Sequence, residues 1–388
     1  MRAGCGLVLG SRATASSHRD AANAPMKISG YRTRVVRVPV TDVAVQATMS
    51  TFVLLELRTD EGVVGLAYAS RISPAYASGF VQLLETSAEL LVGLDPLCIE
   101  RVVSPQAGGG GLPASVFRRA GSWPGGQARA ASTIDVALWD IKAKAASMPL
   151  HVLLGGFRDR VPCYASWRIE PGTIEATALG ESAKHLLACG FRAMKFHVRQ
   201  LDGPGLLAHM RELRDAVGPD IDIMVDNYQG WDFKESLRTA QALAHLQPYW
   251  LEDPMPLDDY EGMQALRAAC DVRICAGEQY RDLASFRRLL EHRSVDIAMV
   301  DLDLGITGFI KVAHLAEAFG VPVVSHLATE VMAPCVAAVP NGLTVEYIPY
   351  AQPFLGEPMQ VADGQLVLSQ RPGVGIEFDE AAVRRLAA

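Results

Sequence analysis

Between Met194 and Glu346 the chain repeats one pattern: a short apolar run that ends in a residue able to do chemistry. The runs are MKFH (Lys195, His197), IMVDN (Asp226), WLED (Glu252), ICAGE (Glu278), IAMVD (Asp301), VVSH (His326) and TVEY (Glu346). From Asp226 onward the polar ends recur every 20–26 residues. A strand of about five residues, a helix and two loops take about that length. The runs are uniformly apolar rather than alternating, as in a parallel sheet buried on both faces. The pattern predicts an α/β fold, a β/α barrel with these polar residues at the C-terminal ends of its strands. That is the face on which such barrels build active sites.

The barrel is predicted to start at VPCYASW (161–167) and to hold eight strands with helices between them. The helices are expected near 173–189 and 206–218, with Asp232 capping the one after strand three. Residues 27–70 look antiparallel, with a turn at Thr59-Asp60-Glu61-Gly62. Helical spacing follows over 74–103, a Gly- and Pro-rich loop over 104–127, and one long helix from there to Gly155-Gly156. The loop lacks the lysine and Ser/Thr of a phosphate loop. The domains are therefore 26–156 as an N-terminal α+β unit, 157–350 as the barrel, and 351–388 as a segment that rejoins the N-terminal sheet. Residues 1–25, rich in Ala, Ser and Arg, are expected to be disordered, with Met26 as the true start. A signal or transit peptide is the weaker reading, because the apolar stretch is very short.

Composition narrows the partners. The chain has 388 residues, 49% of them hydrophobic, with a net charge of −7. That is enough for a large core and more than one domain. No basic stripe is present, so nucleic acid is not expected. No apolar run approaches the ~18 residues of a membrane span. The seven cysteines are scattered, and several sit in apolar runs. They read as reduced core thiols of a cytoplasmic protein.

Three acids, Asp226, Glu252 and Glu278, lie on successive strand ends. Converging carboxylates repel unless a cation sits among them. Oxygen donors without His or Cys favour a hard ion, Mg²⁺ above Mn²⁺ or Ca²⁺. Helix capping or salt bridging explains any one of these acids, but three in register far less easily. Lys195 and His197 are two apart on one strand and point the same way. The lysine is a candidate base or a partner for a substrate carboxylate. Asp301, between Glu278 and His326, is placed to orient the imidazole as a His–Asp base. Glu346 is a candidate hydrogen-bonding partner for a substrate carboxylate, or else a surface cap.

From Met26 to the C-terminus the chain resembles the mandelate racemase subgroup of the enolase superfamily. TDEGVVGLAYA, IDVALWDIKAKAASMPLHVLLGG, GFRAMKFH, IMVDNYQGW, WLEDP, AGEQ, VPVVSHL and PGVGIEFDE carry the likeness. The resemblance implies a (β/α)7β TIM-like barrel under an α+β capping domain built from both chain ends, in a homo-oligomer from dimer to octamer. It implies Mg²⁺ on Asp226, Glu252 and Glu278, and a Lys or His base with an ene-diolate intermediate. Lys195, His326 with Asp301, and Glu346 match the family's catalytic positions. Two departures stand out. The family's racemases carry Lys-x-Lys on strand two, where this chain has Lys195-Phe196-His197. The loop in VDLDLGITG is about two residues shorter than usual, which leaves Asp303 as an alternative to Asp301.

The expected reaction on a small 2-hydroxycarboxylate is dehydration of an acid sugar to a 2-keto-3-deoxy acid. A racemase or epimerase using His197 as second base is the alternative, with cycloisomerisation behind it. A non-catalytic barrel scaffold would have lost site residues, and none is missing. The segments Val40–Met49 and Arg71–Pro74 are expected to meet the distal end of the substrate. The first supplies only Thr41, Asp42, Gln46 and Thr48 as polar groups, which keeps a more apolar acid in play.

Overall fold

The computed structural model describes residues 25–40, 48–103, 124–168, 176–198 and 203–388. The expected disorder of the N-terminal extension, most of the Val40–Met49 segment and most of the Gly-rich stretch lie outside those residues. At the N-terminus, β1 (Ile28–Val40), β2 (Thr48–Thr59) and β3 (Val64–Ile72) form an antiparallel sheet. The predicted turn joins β2 to β3, with Gly62 at φ 79° and the Thr59 amide donating to the Val63 carbonyl. A helix at Ala77–Glu89 buries Phe80, Leu84 and Ala88. The helix Pro124–Ala145 lies on β3 and buries Ile134, Ala137, Leu138 and Ile141. Helix and strand meet so closely that a Cβ on Gly65 would stand 2.2 Å from the Ala137 carbonyl oxygen.

Two expectations are corrected here. The long helix already includes Pro124, inside the predicted loop. It ends at Ala145 rather than at Gly155-Gly156. Ser147 turns left-handed at φ 55° and Pro149 cannot continue a helix, so a short separate helix, Leu150–Leu153, follows.

The barrel strands are β4 (Arg160–Arg168), β5 (Ala193–His197), β6 (Asp222–Asp226), β7 (Trp250–Glu252), β8 (Arg273–Ala276), β9 (Ile297–Asp301), β10 (Val323–His326) and β11 (Gly342–Tyr347). They pair in parallel in that order, and β11 pairs back onto β4 at Val345 and Cys163, closing the cylinder. Helices alternate with them: Ala176–Ala188, Gly203–Val217, Phe233–Leu243, Tyr260–Ala269, Leu283–Glu291, Gly305–Ala318 and Thr329–Ala338. Asp232 caps Phe233–Leu243 in a reciprocal box with Glu235. The fold is thus α/β, a TIM-like barrel under an N-terminal antiparallel sheet.

The barrel interior is a packed layer of Tyr164, Met224, Trp250, Cys275, Ile297, Met299 and Val324. Side chains alternate in and out along a strand, so inward residues recur every second position. Two residues beyond Met224, Trp250, Met299 and Val324 stand Asp226, Glu252, Asp301 and His326. The floor of the barrel therefore determines which residues face its mouth.

The C-terminal segment departs from expectation in its hairpin. A hairpin of β12 (Gln360–Ala362) and β13 (Gln365–Val367) pairs antiparallel with β4, at Leu366 and Val161, instead of with the N-terminal sheet. The first residues of β4 precede its pairing with both β5 and β11, so that stretch offers an unused edge. The segment still rejoins the N-terminal sheet, first through Phe354, whose ring packs edge-on against Phe52 of β2 and Tyr68 of β3 at centroid distances of 5.0 and 5.7 Å, and again at the chain end. There the Ala388 amide donates to Val35, and Glu380 pairs with Arg34 at 2.8 Å. Among the described residues every cysteine is free, but Cys189 is exposed at a helix end instead of lying in the core. No helix among them is long and apolar enough to cross a membrane.

Candidate active site

Asp226 and Glu252 close β6 and β7 as register neighbours. Glu278 lies two residues past β8 and is reached through Gly277 at φ 130°, where a Cβ would stand 2.6 Å from the Met299 carbonyl. Only glycine allows that approach. The three carboxylates are at most 2% exposed, and one oxygen from each lies within 4.8 Å of the others.

Lys195 is fully buried. Its ammonium contacts the Glu252 carboxylate and lies 3.0 Å from Glu346 Oε1 and 3.7 Å from Asp226 Oδ2. His197 Nδ1 stands 2.7 Å from the same Asp226 oxygen. Past the other end of the triad, His326 Nε2 is 3.0 Å from Glu278 Oε2, and its Nδ1 is 2.5 Å from Asp301 Oδ2. The second Glu346 oxygen accepts the Leu327 amide at 2.7 Å. All eight residues expected at the mouth are brought together. Asp301, not Asp303, is the partner of His326. Asp303 is held instead by Arg129 and Arg281.

Burial alone would raise every carboxylate, because the ion loses its hydration. For Asp226 the His197 and Lys195 charges overcome burial and hold it well below the usual range. For Glu278 His326 does the same, down to about 2. Glu346 also falls to about 2, through Lys195, His326 and the Leu327 amide. At Glu252 burial prevails despite Lys195, and the carboxyl is pushed well above its usual range. Burial alone would lower Lys195 and His326, but the surrounding acids raise both well above their ordinary values.

The donor set fits a hard divalent cation: three buried carboxylates, with no histidine or cysteine among the converging atoms. A cation there would compete with Lys195 for Glu252 and with His326 for Glu278.

Sequence reasoning missed the supports. Trp250, fully buried, donates its indole N–H to Glu252 Oε2 at 2.9 Å. Its place two residues before Glu252 on an all-buried strand was a usable signal. Asp253 is fully buried, and neither of its carboxylate oxygens has a hydrogen-bond partner among the described residues. Burial together with Glu278 and Asp226 pushes its carboxyl well above the ordinary range. Non-glycine residues in left-handed backbone follow three of the strands: Tyr228 and Gln229 after β6, Asp253 after β7, Leu327 and Ala328 after β10. Such conformations are costly and cluster at functional sites.

Residues 30–155 match the family described as "Mandelate racemase / muconate lactonizing enzyme, N-terminal domain", and 178–382 match "Enolase C-terminal domain-like". The chain is 30% identical over 353 residues to an L-talarate/galactarate dehydratase from Salmonella typhimurium, covering 89% of this chain and 83% of that one. It is 30% identical over 373 residues to a 3,6-anhydro-alpha-L-galactonate cycloisomerase from Streptomyces coelicolor, covering 93% and 99%. The crystal structure of L-talarate dehydratase from Polaromonas sp. JS666, complexed with Mg and L-glucarate, superposes with a TM-score of 0.82 at 28% identity, covering 94% and 98%. The chain therefore belongs to the enolase superfamily, in its mandelate racemase subgroup, and is an enzyme with Mg²⁺ as its cofactor.

Proposed function

We propose that the protein takes a 2-hydroxycarboxylate of the acid-sugar type, removes the proton beside the carboxylate and expels the 3-hydroxyl. The product is a 2-keto-3-deoxy acid. One observation carries this reading: a His–Asp pair and a buried lysine flank a triad of oxygen donors in a single mouth. Asp301 holds Nδ1 of His326 and leaves Nε2 turned toward the triad. In its neutral form Nε2 accepts the α-proton, and Asp301 stabilises the imidazolium that results. The C3–O bond then breaks with its electron pair, and a protonated group delivers the proton that lets the oxygen leave as water. Lys195 offsets the charge of the substrate carboxylate, and Glu346 holds Lys195 in place. Asp226, Glu252 and Glu278 would hold Mg²⁺, which when bound lowers the cost of negative charge on the substrate carboxylate.

His197 in place of a second lysine supports dehydration over racemisation, as does the dehydratase relative. A racemase or epimerase is the second reading. In it His197 would be the second base, since its ring sits at the Asp226 end of the triad, away from His326. We assign the distal end of the substrate to the capping domain, 26–156. Arg71, left-handed at φ 56°, borders a small cavity beside the mouth with Leu327, Ala328 and Tyr350. A homo-oligomer between dimer and octamer and a cytoplasmic setting complete the reading, the latter supported by the free thiols among the described residues.

The test is incubation with Mg²⁺ in D₂O against mandelate, aldonic and aldaric acids. NMR follows α-deuterium, and a carbonyl reagent traps keto acids. A keto product from a sugar acid is the expected result. Deuterium in both enantiomers without keto acid would make the enzyme a racemase. His326→Asn should abolish exchange of the proton facing it, and surviving exchange would move the base to Lys195 or His197.

A further inference from the structure

Asp303 lies in the tight turn Leu302–Leu304, directly after β9, and is only 8% exposed. Its backbone amide donates to Asp301 Oδ1 at 2.7 Å, while the other Asp301 oxygen holds His326. Its carboxylate is gripped on both oxygens by Arg129, at 2.8 and 2.9 Å. Arg129 belongs to the helix Pro124–Ala145, outside the barrel, and a third nitrogen of its guanidinium reaches the Ser70 carbonyl in β3 at 3.2 Å. Arg281, from the loop after β8, meets Asp303 Oδ2 at 3.0 Å and donates to the Glu278 carbonyl at 2.6 Å. One carboxylate thus ties together the N-terminal domain, the loop that carries Glu278 and the turn that orients Asp301.

We propose that Arg129 and Asp303 are positioning residues for the His326–Asp301 pair, through which the seating of the N-terminal domain sets the orientation of the base. A fork-to-fork arginine–carboxylate contact fixes both the distance and the plane of the carboxylate. With the Asp303 side chain held, the turn that aims its amide at Asp301 has one conformation. Without Arg129 only the Arg281 contact on Oδ2 remains, the plane of the carboxylate is no longer fixed, and the donor on Asp301 Oδ1 is held less firmly. A misplacement of about 1 Å at a reacting site can cost about a hundredfold in rate.

The same seam carries a second, independent clamp. Asp135 accepts from the Thr307 amide at 2.9 Å and from its hydroxyl at 2.5 Å, and Trp139 donates to that hydroxyl at 2.9 Å. Loss of Arg129 therefore leaves the domain seated.

This inference rests on the reading of His326 as base, and the experiment separates the two. Full-length Arg129→Ala, Arg129→Lys and Asp303→Asn are compared with the parent, all with Mg²⁺. The first readout needs no substrate: the downfield proton resonance of His326 Nδ1–H, identified by its loss in His326→Asn. It should shift and broaden in Arg129→Ala, and methylguanidinium should restore it. The second readout is α-proton exchange. Here kcat should fall about 10- to 100-fold, the usual effect of losing an outer support. KM and Mg²⁺ affinity should stay within about twofold, and Arg129→Lys should recover part of the loss. Arg129→Lys keeps the charge but not the two-point grip, and carries the same test should the alanine variant not fold. An unchanged resonance with parental kcat overturns the proposal. So does a loss that follows the melting temperature and is not rescued by methylguanidinium. If His326→Asn retains exchange, the base assignment fails, while the resonance still decides whether Arg129 positions the pair.

Discussion

Trp250 gives its single polar atom to Glu252 from within the barrel floor. A buried N–H that holds a ligand oxygen fixes the rotamer of that ligand before any ion arrives. Trp250→Phe keeps an aromatic ring in the barrel floor and removes the donor together with the pyrrole half of the indole. It should weaken Mg²⁺ binding about tenfold by calorimetry, with near-native far-UV circular dichroism. Unchanged affinity would mean that Lys195 and packing alone position Glu252. At this scale the acids, Lys195 and both histidines were legible, because ionisable side chains at the ends of apolar runs have few other reasons to be there. The choice of Asp301 over Asp303 was not. The two are two residues apart, and only the turn after β9 shows that one faces His326 while the other faces two arginines.

The helix Pro124–Ala145 is the element that joins the two domains. Asp135 reaches from it to the start of Gly305–Ala318, where Gly305 adopts φ 71° and a Cβ would stand 2.5 Å from Asp135 Oδ2. Gly305→Ala adds both backbone strain and a clash. It should cost about 2–4 kcal/mol in urea unfolding. A cost below about 1 kcal/mol would show that the seam yields freely. Strand positions were readable in the sequence because runs buried on both faces differ from everything around them. Element ends were harder. The helix stops at Ala145 because of one left-handed serine and a proline, whereas apolar spacing continues past them. The tail hairpin chose the free edge of β4, and no feature of QLVLS marks that edge as its partner.

At the scale of the molecule, buried charge sets how stability depends on pH and on metal. Burial pushes the Asp135 carboxyl up to about 6, against the lowering effect of Thr307. An acid whose pKa is higher folded than unfolded favours the native state most when protonated. Its contribution is complete below about pH 4 and is lost as pH rises through about 6. The shift corresponds to about 3 kcal/mol, at about 1.4 kcal/mol per unit. Asp135→Asn should remove that slope when unfolding free energies at pH 5 and pH 7 are compared, and an equal slope in both proteins would exclude Asp135 as its source. Mg²⁺ at about 100 times its Kd should add about 2.7 kcal/mol to native stability. Scanning calorimetry should show the melting temperature rising with Mg²⁺, and Asp226→Asn should lose the response. A variant that keeps the full response would place the ion elsewhere.

By itself the sequence determined the barrel, its period and the residues at its mouth. Hydrophobic patterning is local, and a run of five apolar residues states its own burial. It also determined the class of ion, a hard divalent cation, since the type of donor follows from residue identity. What only the tertiary structure decided are the pairings: Lys195 with Glu252, His326 with Asp301 and Glu278, Trp250 with Glu252, and Arg129 with Asp303. Arg129 and Asp303 lie 174 residues apart in the chain. Such contacts depend on where the closed cylinder and the helix packed beside it place each side chain, and no local pattern records that.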